Sequence, residues 1–151
     1  MRPIKICLIS SHGGHLRELL NATTDVIGQK YYVTFKTKHT IEILEDLPHY
    51  FVLDPYKSFW KFVLNGLQSL KHIFKEKPDV VISTGAGIAI PTILLCKFLI
   101  KSKIIFIESA ANVVNPSKTG KLLYKHIDLF LIQWPSLQMY YPKAVYCGLA
   151  L

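Results

Sequence analysis

Acidic residues and cysteines are both scarce in this sequence of 151 residues, and it contains no long uninterrupted apolar run. Cys7, Cys96 and Cys147 are odd in number, sit in apolar surroundings and show no C-x-x-C spacing. They give no ground for a redox or zinc role and read as buried thiols of a cytoplasmic protein. The longest nearly uncharged stretch, residues 80–96, is interrupted by Gly85, Gly87 and Pro91 and falls short of the roughly 20 apolar residues a spanning helix needs. Met1-Arg2-Pro3-Ile4-Lys5-Ile6 enters a strand pattern directly, without the apolar region of a signal peptide. Any membrane contact is therefore expected to be peripheral. The G-x-G-x-x-G and Walker A patterns, zinc-finger spacing, metal-binding carboxylate pairs and RNA-binding aromatic signatures are all missing, so no cofactor, no metal and no nucleic acid are expected.

Base and apolar content are what the chain has in excess. Eighteen Lys+Arg against ten Asp+Glu give a formal charge of +8, which suits anionic lipid headgroups or diphosphates. Only 19% of residues are charged and the mean hydropathy is +0.28, so either the core is large or apolar surface meets a partner or lipid. The length accommodates one domain, taken as residues 1–151.

Apolar runs such as Val80-Val81-Ile82 and Ile104-Ile105-Phe106-Ile107 do not alternate with polar residues, the mark of parallel strands buried on both faces. Strands are expected at residues 5–9, 31–35, 50–53, 80–83, 104–107, 129–132 and 144–146, and helices at 15–27, 39–45, 57–76, 90–100, 118–126 and 136–140. That alternation is the α/β pattern: one Rossmann-like domain with a mostly parallel sheet of about seven strands. Ligands of such sheets lie beyond the carboxyl ends of the strands, so the loops at 10–15, 84–90 and 108–118 should converge on one edge.

The first loop, Ser10-Ser11-His12-Gly13-Gly14-His15, follows a strand and opens a helix. Exposed N–H groups, a favourable dipole and glycines that permit close approach make it an anion site, although a tight turn alone also demands glycine. Ser11, His12, Gly13 and Gly14 are candidate contacts to an anion such as a diphosphate, with the backbone an alternative partner for His12, and His15 is a candidate general base or phosphate donor. The second loop carries Thr84, Gly85 and Gly87; close helix-to-sheet packing explains its glycines equally well. The third sets Glu108 at the end of a buried strand, followed by Ser109 and Asn112. A carboxylate there is costly without a task, whether bonding a sugar hydroxyl, acting as a base or anchoring the loops.

Phe59, Val63, Leu67, Leu70 and Phe74 trace one apolar stripe on the long helix, the pattern of an ordinary amphipathic surface helix. Trp60 and Phe62 fall outside the stripe beside Lys61, so Phe59, Trp60, Lys61 and Phe62 are the expected membrane contact. The last residues are apolar where termini are usually polar. Tyr146, Gly148, Leu149 and Leu151 are therefore expected to dock, on a partner or on their own domain.

Taken together, Ser-Ser-His-Gly-Gly-His, Pro-Asp-Val-Val-Ile-Ser-Thr-Gly-Ala-Gly and the Glu-Ser loop resemble the PssD family of bacterial polysaccharide-synthesis subunits. That family is similar to the membrane-anchor subunit of the eukaryotic dolichol-linked N-acetylglucosaminyltransferase and, more distantly, to the N-terminal half of MurG. The resemblance implies the acceptor half of a GT-B glycosyltransferase, with a second subunit carrying the UDP-sugar site. It matches Gly13, Gly14 and His15, then Thr84, Gly85 and Gly87, then Glu108 and Ser109, to the family's three loops. The implied activity is transfer of a hexose (Gal, Glc or GlcNAc class) from a UDP-sugar to a polyprenyl-diphosphate-linked sugar in exopolysaccharide or capsule synthesis. The implied location is the inner face of the cell membrane, and the alternative is a non-catalytic scaffold that recruits the sugar-binding subunit there. The eukaryotic subunit's N-terminal membrane helix has no counterpart in the sequence, and one Rossmann-like unit is half of a GT-B enzyme.

Overall fold

Alternation along β1 (Lys5–Ile9) sends Cys7 and Ile9 to one face of the sheet and Ile6 and Leu8 to the other, and all four are buried. A strand like this needs cover on both sides. The computed structural model describes residues 2–150 and supplies it with a seven-stranded parallel sheet in the order β3-β2-β1-β4-β5-β6-β7. The further strands are β2 (Gln29–Thr34), β3 (His49–Phe51), β4 (Val80–Ser83), β5 (Lys103–Ile107), β6 (Leu129–Ile132) and β7 (Val145–Tyr146). One face packs against α3 (Phe59–Glu76), α4 (Ala89–Leu95) and the segment after α5 (Lys118–Leu123). The other packs against α1 (Gly14–Ala22) and α2 (Lys38–Leu44).

Cover on that second face is incomplete. Leu129, Leu131 and Val145 share it through the β6–β7 register, and none of the three is buried. The accessible surface, 8649 Å², exceeds the roughly 7800 Å² expected of a folded monomer of this mass.

Several element ends differ from the sequence expectation for local reasons. Helix α1 stops at Ala22 instead of 27 because Thr23 and Thr24 donate their hydroxyls to the carbonyls of Leu19 and Leu20, at 2.7 and 3.0 Å. Helix α2 starts at a reciprocal Thr37–Thr40 capping box. The expected helix at 90–100 is α4 followed by a π turn, Cys96–Ile100. The one expected at 136–140 is a 3-10 turn, Pro135–Met139. Cys7 and Cys96 are buried as expected, but Cys147 is exposed.

The largest departure is the facing of α3. A surface helix ordinarily turns its apolar stripe inward, yet Phe59, Val63, Leu67 and Phe74 are exposed, and Trp60 and Leu64 widen the stripe. The inward face carries Asn65, Ser69, His72 and Ile73. Asn65 Nδ2 donates to Leu53 O at 2.7 Å, and the Ser69 and Thr92 hydroxyls bond at 2.8 Å, so most of that polar face is satisfied. His72 is not. It stacks on Tyr50 at 5.3 Å, is 2% exposed, and neither ring nitrogen has a partner.

Burial pushes the His72 pKa down to about 4, so the folded protein keeps the ring neutral where the unfolded chain protonates it. Stability should therefore fall as pH drops from about 6.5 to 4, by on the order of 3 kcal/mol from this residue. Urea unfolding across that window checks this: His72→Phe should flatten the dependence, and an unchanged slope contradicts it.

Candidate functional site

The sheet order reverses between β1 and β4, which is where open α/β sheets bind ligands. The loop after β1 and the loop after β4 flank that point, and a hydrogen bond joins them: Thr84 Oγ1 donates to the His15 carbonyl at 2.8 Å. Gly13 is the N-cap of α1 with φ 69°, a left-handed conformation that favours glycine, and no side chain caps the helix. A Cβ on Gly13 or Gly14 would meet nothing within 4 Å, so the space in front of both glycines is unfilled by protein. The helix start at the first loop is therefore uncapped and open in front. Ser11 is half-buried beside it, and His12 is exposed with its ring 4.7 Å from Phe35. In the second loop Gly85 has φ 101° and a Cβ there would sit 3.2 Å from Phe106 Cζ, so its glycine answers to backbone and packing. Gly87 faces open space.

Glu108 is 1% exposed and both carboxylate oxygens are taken from within the domain. Asn112 Nδ2 donates to Oε1 at 2.8 Å, while Ser117 Oγ and Tyr141 Oη donate to Oε2 at 3.0 and 2.8 Å. Burial and then this bond raise the Tyr141 phenol well above its ordinary pKa. Of the tasks open to Glu108, the geometry fits the anchor: it holds the third loop to α5 and to the turn after β6. Asn112 is spent on the same bond, and Ser109 is buried. Ser117 also caps α5, its Oγ accepting from Gly120 N at 2.8 Å.

A second buried carboxylate escaped the sequence reading. Glu18, one helical turn past His15, accepts from Ala110 N at 2.7 Å and Gln133 Nε2 at 2.5 Å through Oε1. Its Oε2 stands 4.0 Å from His15 Nδ1. The i,i+3 spacing was the available signal. Gln133 in turn accepts from Ala150 N at 2.6 Å, which ties the tail to this network.

The tail thus docks on its own domain by its backbone while the side chains of Tyr146 and Leu149 are exposed and Gly148 takes φ 74°. Leu151 lies outside the described residues. At the start of α3, Phe59 and Trp60 are 71% and 74% exposed, Lys61 is exposed, and Phe62 is half-buried. Phe59 and Phe62 line a groove of about 460 Å³ with Pro55, Tyr56, Gly87 and Ile90, so the groove runs from the second glycine loop to the exposed helix. Among the described residues no helix is long and apolar enough to cross a membrane.

A family model described as "Oligosaccharide biosynthesis protein Alg14 like" matches residues 52–150. The chain belongs to the Alg14-like family. A relative in Schizosaccharomyces pombe, "UDP-N-acetylglucosamine transferase subunit alg14", is 38% identical over 102 residues, covering 63% of this chain and 47% of that protein. The Homo sapiens subunit of the same name is 28% identical over 180 residues, covering 96% and 82%. Acinetobacter baumannii MurG superposes with TM-score 0.73 at 15% identity, over 89% of this chain and 43% of that one. The Rickettsia bellii UDP-N-acetylglucosamine 2-epimerase gives TM-score 0.77 at 14% identity, over 99% and 46%. The chain thus spans less than half of the fission yeast relative and of both solved structures, and the likeness to the latter two is one of fold. The Alg14-like family is the eukaryotic side of the resemblance read in the sequence.

The anchor role of Glu108 is open to a packing test. A Cβ on Gly120 would overlap Glu108 Oε2 and Tyr141 Oη. Gly120→Ala should lower stability by about 1–3 kcal/mol in chemical denaturation; a neutral substitution would mean that the network is loose.

Proposed function

We propose that this chain is the acceptor-binding, membrane-associated subunit of a two-chain glycosyltransferase. It transfers a hexose from a UDP-sugar to a polyprenyl-diphosphate-linked sugar. The observation that carries the reading is the uncapped helix start at Gly13-Gly14-His15, open in front and tied to the second glycine loop at the sheet's switch point. Curated relatives named as UDP-N-acetylglucosamine transferase subunits support a UDP-sugar donor, with N-acetylglucosamine the favoured member of the class. A bacterial, PssD-like setting in exopolysaccharide or capsule synthesis belongs to the same proposal.

Gly13, Gly14 and the first N–H groups of α1 hold the acceptor's diphosphate, and the isoprenoid chain leaves along the groove beside Phe59 and Phe62. Lipid then meets the outward face of α3. Trp60, Leu64 and Leu67 add hydrophobic transfer of about 1 kcal/mol each on partial burial, and lysines add a similar amount against anionic headgroups. On this reading the chain sits at the inner membrane face as a peripheral protein. The second subunit brings the UDP-sugar; the apolar strip of Leu129, Leu131 and Val145 and the side chains of Tyr146 and Leu149 are its docking surface.

In the reaction the acceptor hydroxyl gives its proton to the imidazole of His15 as its oxygen bonds to the anomeric carbon. The bond from that carbon to the UDP oxygen breaks, and UDP departs with the electron pair. A second reading, a non-catalytic scaffold, is favoured by the saturated carboxylate of Glu108, which leaves one of the two expected catalytic groups without a free oxygen.

With the two-chain complex, His15→Ala should lower kcat by on the order of 10²–10⁴-fold, whereas full transfer by this variant supports the scaffold. Leu64→Glu combined with Leu67→Glu should weaken binding to anionic vesicles at least about tenfold without loss of helical signal, since the pair replaces roughly 1 kcal/mol of attraction per site with repulsion. Unchanged vesicle binding would remove α3 from the interface.

A further inference from the structure

His15 has one buried nitrogen and one open one. Nδ1 is buried without any hydrogen-bond partner, whereas the side chain as a whole is 34% exposed and Nε2 is neither buried nor bonded to protein. The polar atom facing Nδ1 is Glu18 Oε2 at 4.0 Å, about 1 Å beyond hydrogen-bond reach. Glu18 is itself immobilised: Oε1 takes Ala110 N and Gln133 Nε2, and its side chain is 6% exposed. Neither of these two bonds uses Oε2, and the structure gives that oxygen no other donor.

We infer that Glu18 is the positioning residue that fixes the tautomer of His15, holding the proton on Nδ1 so that Nε2 presents its lone pair to the acceptor hydroxyl. The inference rests on the reading of His15 as the base. A carboxylate has no hydrogen to offer, so the nitrogen it faces must be the one that carries hydrogen. Catalytic hydrogen bonds are often long before substrate is bound, and a small rotation of the imidazole closes this one. Glu18 acts through His15 and does not touch substrate. Because Oε1 is gripped by the loop after β5 and by Gln133 at the end of β6, the carboxylate also relays the position of those loops to the base.

The donor pattern at Glu18 makes one substitution diagnostic. In Glu18→Gln, the site of Oε1 faces two N–H donors, so the amide oxygen must occupy it and the NH₂ must take the place of Oε2. That NH₂ donates toward Nδ1, turns it into an acceptor and forces the proton onto Nε2, the wrong tautomer for a base. The shape of the site is unchanged, yet the chemistry is reversed.

Nitrogen-15 spectra of His15 in the full chain at pH 8 read the tautomer directly, and steady-state kinetics of the two-chain complex read its consequence. The expected results are an Nδ1–H ring in the wild type, an Nε2–H ring in Glu18→Gln, and a fall in kcat on the order of 10²-fold or more with acceptor KM nearly unchanged. A wild-type ring carrying its proton on Nε2 overturns the inference whether or not the variant folds. So does Glu18→Gln with kcat intact while His15→Ala is inactive, an outcome that leaves His15 as the base. Full activity in His15→Ala overturns the base reading itself, and the inference with it.

Discussion

A carboxylate buried at the end of a strand is tolerable only if the surrounding protein supplies donors to both oxygens, and this constraint organises the carboxyl edge of the sheet. Glu108 draws Asn112, Ser117 and Tyr141 around itself, and Gly120 is glycine because nothing larger fits beside that carboxylate. Glu18 does so through one oxygen from α1, its Oε1 recruiting Ala110 N and Gln133 while Oε2 stands 4.0 Å from His15 Nδ1. Between them the two acids bind α1, the loop after β5, the turn after β6 and α5 into one rigid rim. The loop at Gly13 is part of that rim, so its open helix start is held by a fixed frame.

The same logic of satisfaction, run in reverse, explains α3. Its inward face is polar, and hydrogen bonds from Asn65 and Ser69 compensate most of it, while the apolar side chains look outward. Turned over, the helix would bury that stripe but also Lys71 within it, and the facing it has leaves the apolar side chains exposed. It suits a protein that meets an apolar medium on that side. The groove from Gly87 to Phe59 joins this face to the second glycine loop, which Thr84 ties to the first, and the proposed ligand with a charged head and an isoprenoid tail would use both.

Much of this was legible in the sequence. The seven strands lay where continuous apolar runs placed them, because parallel strands buried on both faces leave no room for polar alternation. The three loops were legible as strand-to-helix junctions, marked by Gly13 and Gly14, by Gly85 and Gly87, and by Glu108 at the end of a continuous apolar run. The end of α1 was not, since Thr23 and Thr24 compete for carbonyls in a way periodicity does not register. Periodicity located the stripe on α3 but is blind to which way a stripe faces. Glu18 was hidden because its partners come from residues 110 and 133, and only the folded chain brings them together. Likewise Glu108 announced itself as a costly buried acid, while its three donors, which decide its role, are spread from Asn112 to Tyr141.

The central claim is that the helix start at Gly13-Gly14-His15 receives a lipid-linked diphosphate. Titrating the isotope-labelled chain with a short-chain isoprenyl diphosphate sugar tests it most directly. The backbone amide resonances of Gly13, Gly14 and His15 should shift together with those lining the groove at Phe59 and Phe62. Shifts confined to other surfaces, or no shifts at saturating ligand, would contradict it.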